Sequence, residues 1–90
     1  MEQEVLKLLR EQNDGIPDDV KINLLEAGII DSFDIVNFVS ALEEYFGIEI
    51  PAEEIMPENF GSVEHMTMLV RRIGENDRRN GNGEVKTASR

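Results

Sequence analysis

Apolar side chains recur at helical spacing in three separate stretches of the chain, and polar or glycine-bearing segments mark where each stretch ends. Val5, Leu8 and Leu9 fall at i, i+3 and i+4 with Leu6 beside them, while Glu4 and Lys7 lie toward the polar side. This pattern predicts an amphipathic helix over about residues 2–12, stopped by Asn13-Asp14-Gly15. From Ser32 to Phe46 the apolar positions Ile35, Phe38, Val39, Leu42 and Phe46 repeat with the same period, with Tyr45 flanking, so this helix supplies a large share of the core. Its buried stripe centres near Ile35 and Leu42, whereas Asn37, Ser40 and Glu44 lie opposite, and Phe33 falls with that polar set. Gly47 closes the helix, as a C′ glycine often does. Val63, Met66, Leu69, Val70 and Ile73 form one face of a last helix over about 63–73, capped by Ser62, with Arg71 and Arg72 at the negative end of its dipole.

The segments between these helices are of two kinds. Residues 16–30 hold Pro17, Asn23 and Gly28, but also Val20, Ile22, Leu24, Leu25, Ile29 and Ile30. Such a connection packs down over the core, with a helical turn expected near Val20 to Leu25. Ile48-Glu49-Ile50-Pro51 alternates like a strand, yet no second strand-like segment exists to pair with it, so it reads as an extended connector. Pro57-Glu58-Asn59-Phe60 suits a single helical turn with proline at its first position. The expected fold is therefore all-α, a four-helix bundle of three main helices and one short one with a long first loop. Residues 1–74 make the domain. In 75–90, Val85 and Ala88 are the only apolar side chains, which predicts a disordered tail.

Ninety residues build one small core but no enzyme cleft walled by two layers of structure. The chain has no cysteine, so any thiol chemistry must come from a prosthetic group. Met1-Glu2-Gln3-Glu4 is acidic where a signal peptide is basic, and no apolar run approaches the roughly 20 residues that span a bilayer. A cytoplasmic monomer without membrane insertion is the expectation. Nineteen acidic side chains against nine basic ones give a formal charge of −10, with 16 acidic and 5 basic residues in 1–74. That field repels phosphate backbones, which argues against nucleic acid, and steers partners that carry basic patches. Surplus charge of this size also serves solubility alone.

Few chemistries survive the residue inventory. A hydrolytic triad lacks its parts: the only histidine, His65, sits in the first turn of the last helix, with no reason in the sequence to face Ser32. No catalytic residue is assigned. Asp31-Ser32-Phe33-Asp34 lacks the alternating oxygen ligands of an EF-hand, and Glu53, Glu54 and Glu58 read as a solvated acidic face, so no metal site is expected. Without a glycine-rich phosphate loop, nucleotide chemistry has no place to sit. Met56, Met66 and Met68 read as core and rim fillers. Ser32 stands out, because Gly28-Ile29-Ile30-Asp31-Ser32 joins the long loop to the most apolar helix. Its hydroxyl either caps that helix or carries something. Phe33, one turn from Val36, is either a docking residue or is covered by the preceding loop.

The segment Leu24-Leu25-Glu26-Ala27-Gly28-Ile29-Ile30-Asp31-Ser32-Phe33 resembles the phosphopantetheine attachment site of acyl and peptidyl carrier proteins. Tyr45-Phe46-Gly47-Ile48-Glu49-Ile50-Pro51 is similar to the family's segment closing its second helix, and Pro57-Glu58-Asn59-Phe60-Gly61-Ser62-Val63 looks like its short third helix leading into the fourth. The resemblance covers about residues 2–74, and three segments in the family's order make it specific. It implies that a phosphopantetheinyl transferase moves 4′-phosphopantetheine from coenzyme A to Ser32, where the arm bears an acyl or aminoacyl thioester. Asp31 is then a supporting residue, and Phe33, Asp34, Val36 and Glu44 form a recognition surface for acyl-activating and acyl-transferring enzymes of a fatty acid, polyketide or specialised lipid pathway. A peptidyl or D-alanyl carrier fits the same resemblance. Phe33 departs from the aliphatic residue usual after the serine, which bears on partner choice. From another class, a non-covalent acidic helical adaptor accounts for the charge and Phe33, but leaves the junction at Ser32 an accident.

Overall fold

The computed structural model describes residues 1–80, with side chains described as far as Asn76. Among these residues are four α-helices: α1 (Glu2–Gln12), α2 (Ser32–Phe46), α3 (Pro57–Phe60) and α4 (Val63–Asn80). No strand occurs among the described residues. The all-α expectation thus holds, and the starts of α1, α2 and α4 match those read from the apolar periodicity, that of α3 the one marked by Pro57. One end differs, since α4 continues to Asn80 rather than stopping near Ile73. Gly74 is accommodated inside the helix without a positive φ. A glycine there costs on the order of 1 kcal/mol relative to alanine, which the surrounding turns sustain. The rest of the expected tail, 81–90, lies outside the described residues.

The core forms where α1 lies against α2 and α4, with α3 seated on α4. Val5, Leu6 and Leu9 of α1 meet Ile35, Phe38 and Leu42 of α2 and Met66, Leu69, Val70 and Ile73 of α4 in one buried cluster. Burying each such side chain contributes roughly 1.5–3 kcal/mol relative to exposure. Val39 and Phe46 sit at the edge of this cluster, half-buried, and the stripe on α2 is accordingly narrower than its apolar pattern suggests. Met66 is a core residue but Met68 is exposed, so only one of those two methionines fills the interior.

The long connection packs onto the core as expected, with Ile16, Leu24 and Ile30 buried. It forms turns rather than a helical segment. The turn over Asn23 to Gly28 closes through Ala27 N–H to Asn23 O (3.0 Å) and Ile29 N–H to Leu24 O (2.9 Å), with Gly28 in the left-handed region at φ 74°. Any residue with a Cβ is strained at that φ. Two bonds staple the connection to the α3–α4 junction: Leu24 N–H donates to Gly61 O (2.6 Å), and Glu64 N–H donates to Val20 O (3.0 Å). At the other end of α2, Gly47 (φ 65°) terminates the helix, and both its N–H and that of Ile48 reach Glu43 O. A short 3-10 turn over Ala52–Glu54 follows, a feature with no periodic signature in the sequence. Glu54 there accepts two bonds from Arg72 (3.0 and 3.2 Å), tying this connection to α4.

Candidate functional site

Asp31, not Ser32, caps α2. The Asp31 carboxylate accepts the Asp34 N–H at 3.0 Å, while the Asp34 carboxylate accepts the Asp31 N–H at 3.2 Å. This reciprocal capping box satisfies an orphan donor of the first turn and leaves Ser32 as the first helical residue. The capping role weighed for Ser32 on sequence therefore belongs to its neighbour. Asp31-x-x-Asp34 carried that signal, with aspartate in place of the usual glutamate. Ser32 is exposed, and none of the side-chain hydrogen bonds among the described residues involves its hydroxyl.

The approach to Ser32 is held from several directions. Ile30 is buried in the core two residues earlier. Asn13, at the end of α1, donates its side-chain amide to Ile29 O (2.9 Å) and to Asp34 Oδ2 (3.5 Å). On sequence Asn13 counts only as part of a helix stop; its partners lie 16 and 21 residues away, a proximity that no local pattern records.

Residues expected to recognise partners separate into two groups. Phe33 (71% exposed) and Val36 (61% exposed) present adjacent apolar surface on the outer side of the first turns of α2, so the loop does not cover Phe33. Glu44 is exposed on the same side of the helix, roughly 16 Å further along at 1.5 Å per residue. Asp34 does not join them, because its half-buried carboxylate is turned to Asp31 and Asn13. His65 is exposed at the start of α4, where its N–H donates to the buried Ser62 Oγ (3.1 Å) and its Nδ1 lies 2.8 Å from the same oxygen. This pair serves the cap of α4. Among the described residues no three His, Cys, Asp or Glu side chains converge as a metal site. No helix of the described residues is long and apolar enough to cross a membrane.

Tyr45 and Glu4 mark the far end of the α1–α2 seam. The Tyr45 hydroxyl donates to Glu4 Oε2 (3.2 Å), and the Glu4 charge, together with that bond, raises the phenol above its ordinary value. At the other staple, the hydrogen bond from Arg72 holds the Glu54 carboxyl below the usual range and raises the guanidinium in turn.

Similarity to known proteins agrees with this geometry. The family described as "Phosphopantetheine attachment site" matches residues 3–68. An acyl carrier protein of Campylobacter hominis is 38% identical over 76 residues, covering 82% of this chain and 94% of that protein. A D-alanyl carrier protein of Bacillus velezensis is 41% identical over 54 residues, 58% of this chain and 69% of that one. Aminoacyl carrier protein 1 of Bradyrhizobium diazoefficiens is 38% identical over 71 residues, 73% and 77% of the two chains. No solved structure matches significantly. The chain belongs to the phosphopantetheine-binding carrier family. It is a carrier rather than a catalyst, of the kind that works with partner enzymes and a phosphopantetheinyl transferase, and its prosthetic group is covalently attached 4′-phosphopantetheine. The start of α2 fits that group on physical grounds: it offers an exposed hydroxyl outside the hydrogen-bond network, and the helix dipole there offsets part of the negative charge that a phosphodiester adds beside Asp31 and Asp34.

Proposed function

We propose that Ser32 Oγ is the attachment point and that the protein delivers an acyl or aminoacyl group to the enzymes of a biosynthetic pathway. The observation that carries this reading is the capping box, which leaves the Ser32 hydroxyl exposed and free. In loading, Ser32 Oγ attacks the pantetheine-bearing phosphorus of coenzyme A, loses its proton and displaces the nucleotide, so that one phosphodiester forms as one phosphoanhydride bond breaks. The attached group supplies a terminal thiol that holds cargo as a thioester on a flexible arm. Asp31 fixes the helix start, and tethering keeps the cargo at high effective concentration near each partner.

Phe33 and Val36 give partner enzymes an apolar contact next to Ser32, and the acidic surface with Glu44 selects partners bearing basic docking patches. Exposed charge pairs of about 0–1 kcal/mol each suit a carrier that must leave every partner. The protein works as a cytoplasmic monomer. Fatty acid, polyketide and specialised lipid pathways suit an acyl cargo, and the Campylobacter hominis relative supports that reading. A D-alanyl or other aminoacyl cargo is the second reading, favoured by the Bacillus velezensis and Bradyrhizobium diazoefficiens relatives. Intact-mass and fragment analysis of the protein isolated from its own cell tests the proposal. Phosphopantetheine bearing an acyl or aminoacyl group on Ser32 supports it and identifies the cargo. Unmodified Ser32 in a protein held in stable complexes points to a non-covalent adaptor instead.

A further inference from the structure

Asn13 does two things with one side chain. Its position is set by α1, through its own N–H to Leu9 O at 2.9 Å. Oδ1 accepts the Gly15 N–H (2.9 Å), which builds the turn after α1. Nδ2 faces two oxygens, Ile29 O at 2.9 Å and Asp34 Oδ2 at 3.5 Å, so each amide hydrogen has an acceptor. The second acceptor is the oxygen that also receives the Asp31 N–H. One amide thus joins the end of α1, the loop entering the site and the capping box of α2.

The chain between Ile29 and Asp34 is pinned at Ile29 O by Asn13, at Ile30 by burial and at Asp31 by the capping box. Ser32 lies inside this span and makes no side-chain bond of its own among the described residues. Its orientation is borrowed from these neighbours. We infer that Asn13 is a positioning residue for the loading of Ser32: its amide locks Ile29 and Asp34 together so that the Ser32 hydroxyl is presented in one orientation to the transferase. The inference rests on Ser32 being the attachment residue. Asn13 bonds neither Phe33 nor Val36, so loss of the amide is expected to act on the transfer step with docking retained.

Variants separate the turn from the lock. Asn13→Asp keeps an oxygen for the Gly15 N–H but loses both donations and sets a carboxylate against Asp34. Asn13→Ser keeps a turn acceptor and is too short to reach Ile29 O. The test measures the transfer of phosphopantetheine from coenzyme A to the full-length apo protein by a broad-specificity transferase, followed by intact mass, with amide hydrogen exchange at Asp31 and Asp34, whose N–H groups the capping box holds. Asn13→Asp is expected to lower kcat about tenfold and Asn13→Ser about threefold, with KM unchanged and faster exchange at the Asp31 and Asp34 amides. Adding Asp34→Asn to Asn13→Asp removes the repulsion, lets the amide introduced on α2 donate to the carboxylate introduced at the end of α1, and restores part of the rate. Should Asn13→Asp fail to fold, Asn13→Ser and the double variant carry the same comparison. Loading of the folded variants at the wild-type kcat overturns the inference while leaving Ser32 as the attachment residue. Failure of the wild type to load, or loading of Ser32→Ala, overturns both.

Discussion

Asp31 and Asp34 exchange two hydrogen bonds across the first turn of α2, at 3.0 and 3.2 Å, and the serine between them is left with an unengaged hydroxyl. On the proposed reading, stability and modification fall to adjacent residues. Asp31→Ala removes the cap and is expected to cost about 1 kcal/mol in denaturant unfolding. Ser32→Ala removes an exposed hydroxyl and is expected to change stability by less than about 0.5 kcal/mol. Equal losses in the two variants contradict this division.

Phe33 is more exposed than any other large apolar side chain described, so its removal leaves the core intact. Phe33→Ala is expected to shift unfolding free energy by less than about 0.5 kcal/mol. On the proposed reading its effect falls on partners: turnover of the loaded carrier by an acyl-transferring enzyme is expected to drop by about tenfold through KM, as for truncation of an aromatic anchor. Raising ionic strength weakens the same step, because charge steering is screened. A Phe33→Ala protein that melts early but serves its partners normally rules this assignment out.

Arg72 holds the Glu54 carboxyl below its ordinary value, mainly through their hydrogen bonds, with charge attraction assisting and burial opposing. A depressed carboxylate stabilises the fold fully above its unfolded pKa, and that contribution is lost as pH falls through the lowered folded value. The stability difference between wild type and Arg72→Gln is therefore expected to be constant near neutrality and to shrink in acid. Urea unfolding at a series of pH values measures it. A difference that stays constant into acid contradicts the pairing of Arg72 with Glu54.

Tyr45 is the sole tyrosine and the chain has no tryptophan, so phenolate absorbance reports one group. The Glu4 charge and its accepted hydrogen bond favour the protonated phenol, and the titration midpoint is expected above the ordinary 10.0. A raised tyrosine contributes stability below its unfolded pKa and loses it as pH rises through the folded one. Glu4→Gln is expected to return the midpoint toward the ordinary value. An unchanged midpoint in that variant contradicts the contact between Tyr45 and Glu4.

Periodicity along the chain made α1, α2 and α4 legible because each buries a stripe at i, i+3 and i+4, and proline at Pro57 marked the start of α3. The far end of α4 was not legible: Gly74 and the polar residues after it carry no apolar stripe, yet the helix runs to Asn80. At the site, the loop glycine and the Asp31-Ser32 pair were visible as a junction. What local reading missed was the division of labour, with Asp31 as cap, Asp34 turned inward and Asn13 reaching across from α1. Those roles depend on contacts between residues far apart in sequence, which the packing of α1 on α2 creates.

If the Ser32 hydroxyl, spared from capping, receives the prosthetic group, the modification must map to that one residue. Apo protein is incubated with coenzyme A and a phosphopantetheinyl transferase, then digested and sequenced by mass spectrometry. The mass of a single phosphopantetheine is expected on the peptide containing Asp31-Ser32-Phe33, with no gain in Ser32→Ala. A well-folded wild-type protein that gains nothing, or gains it on another residue, contradicts attachment at Ser32.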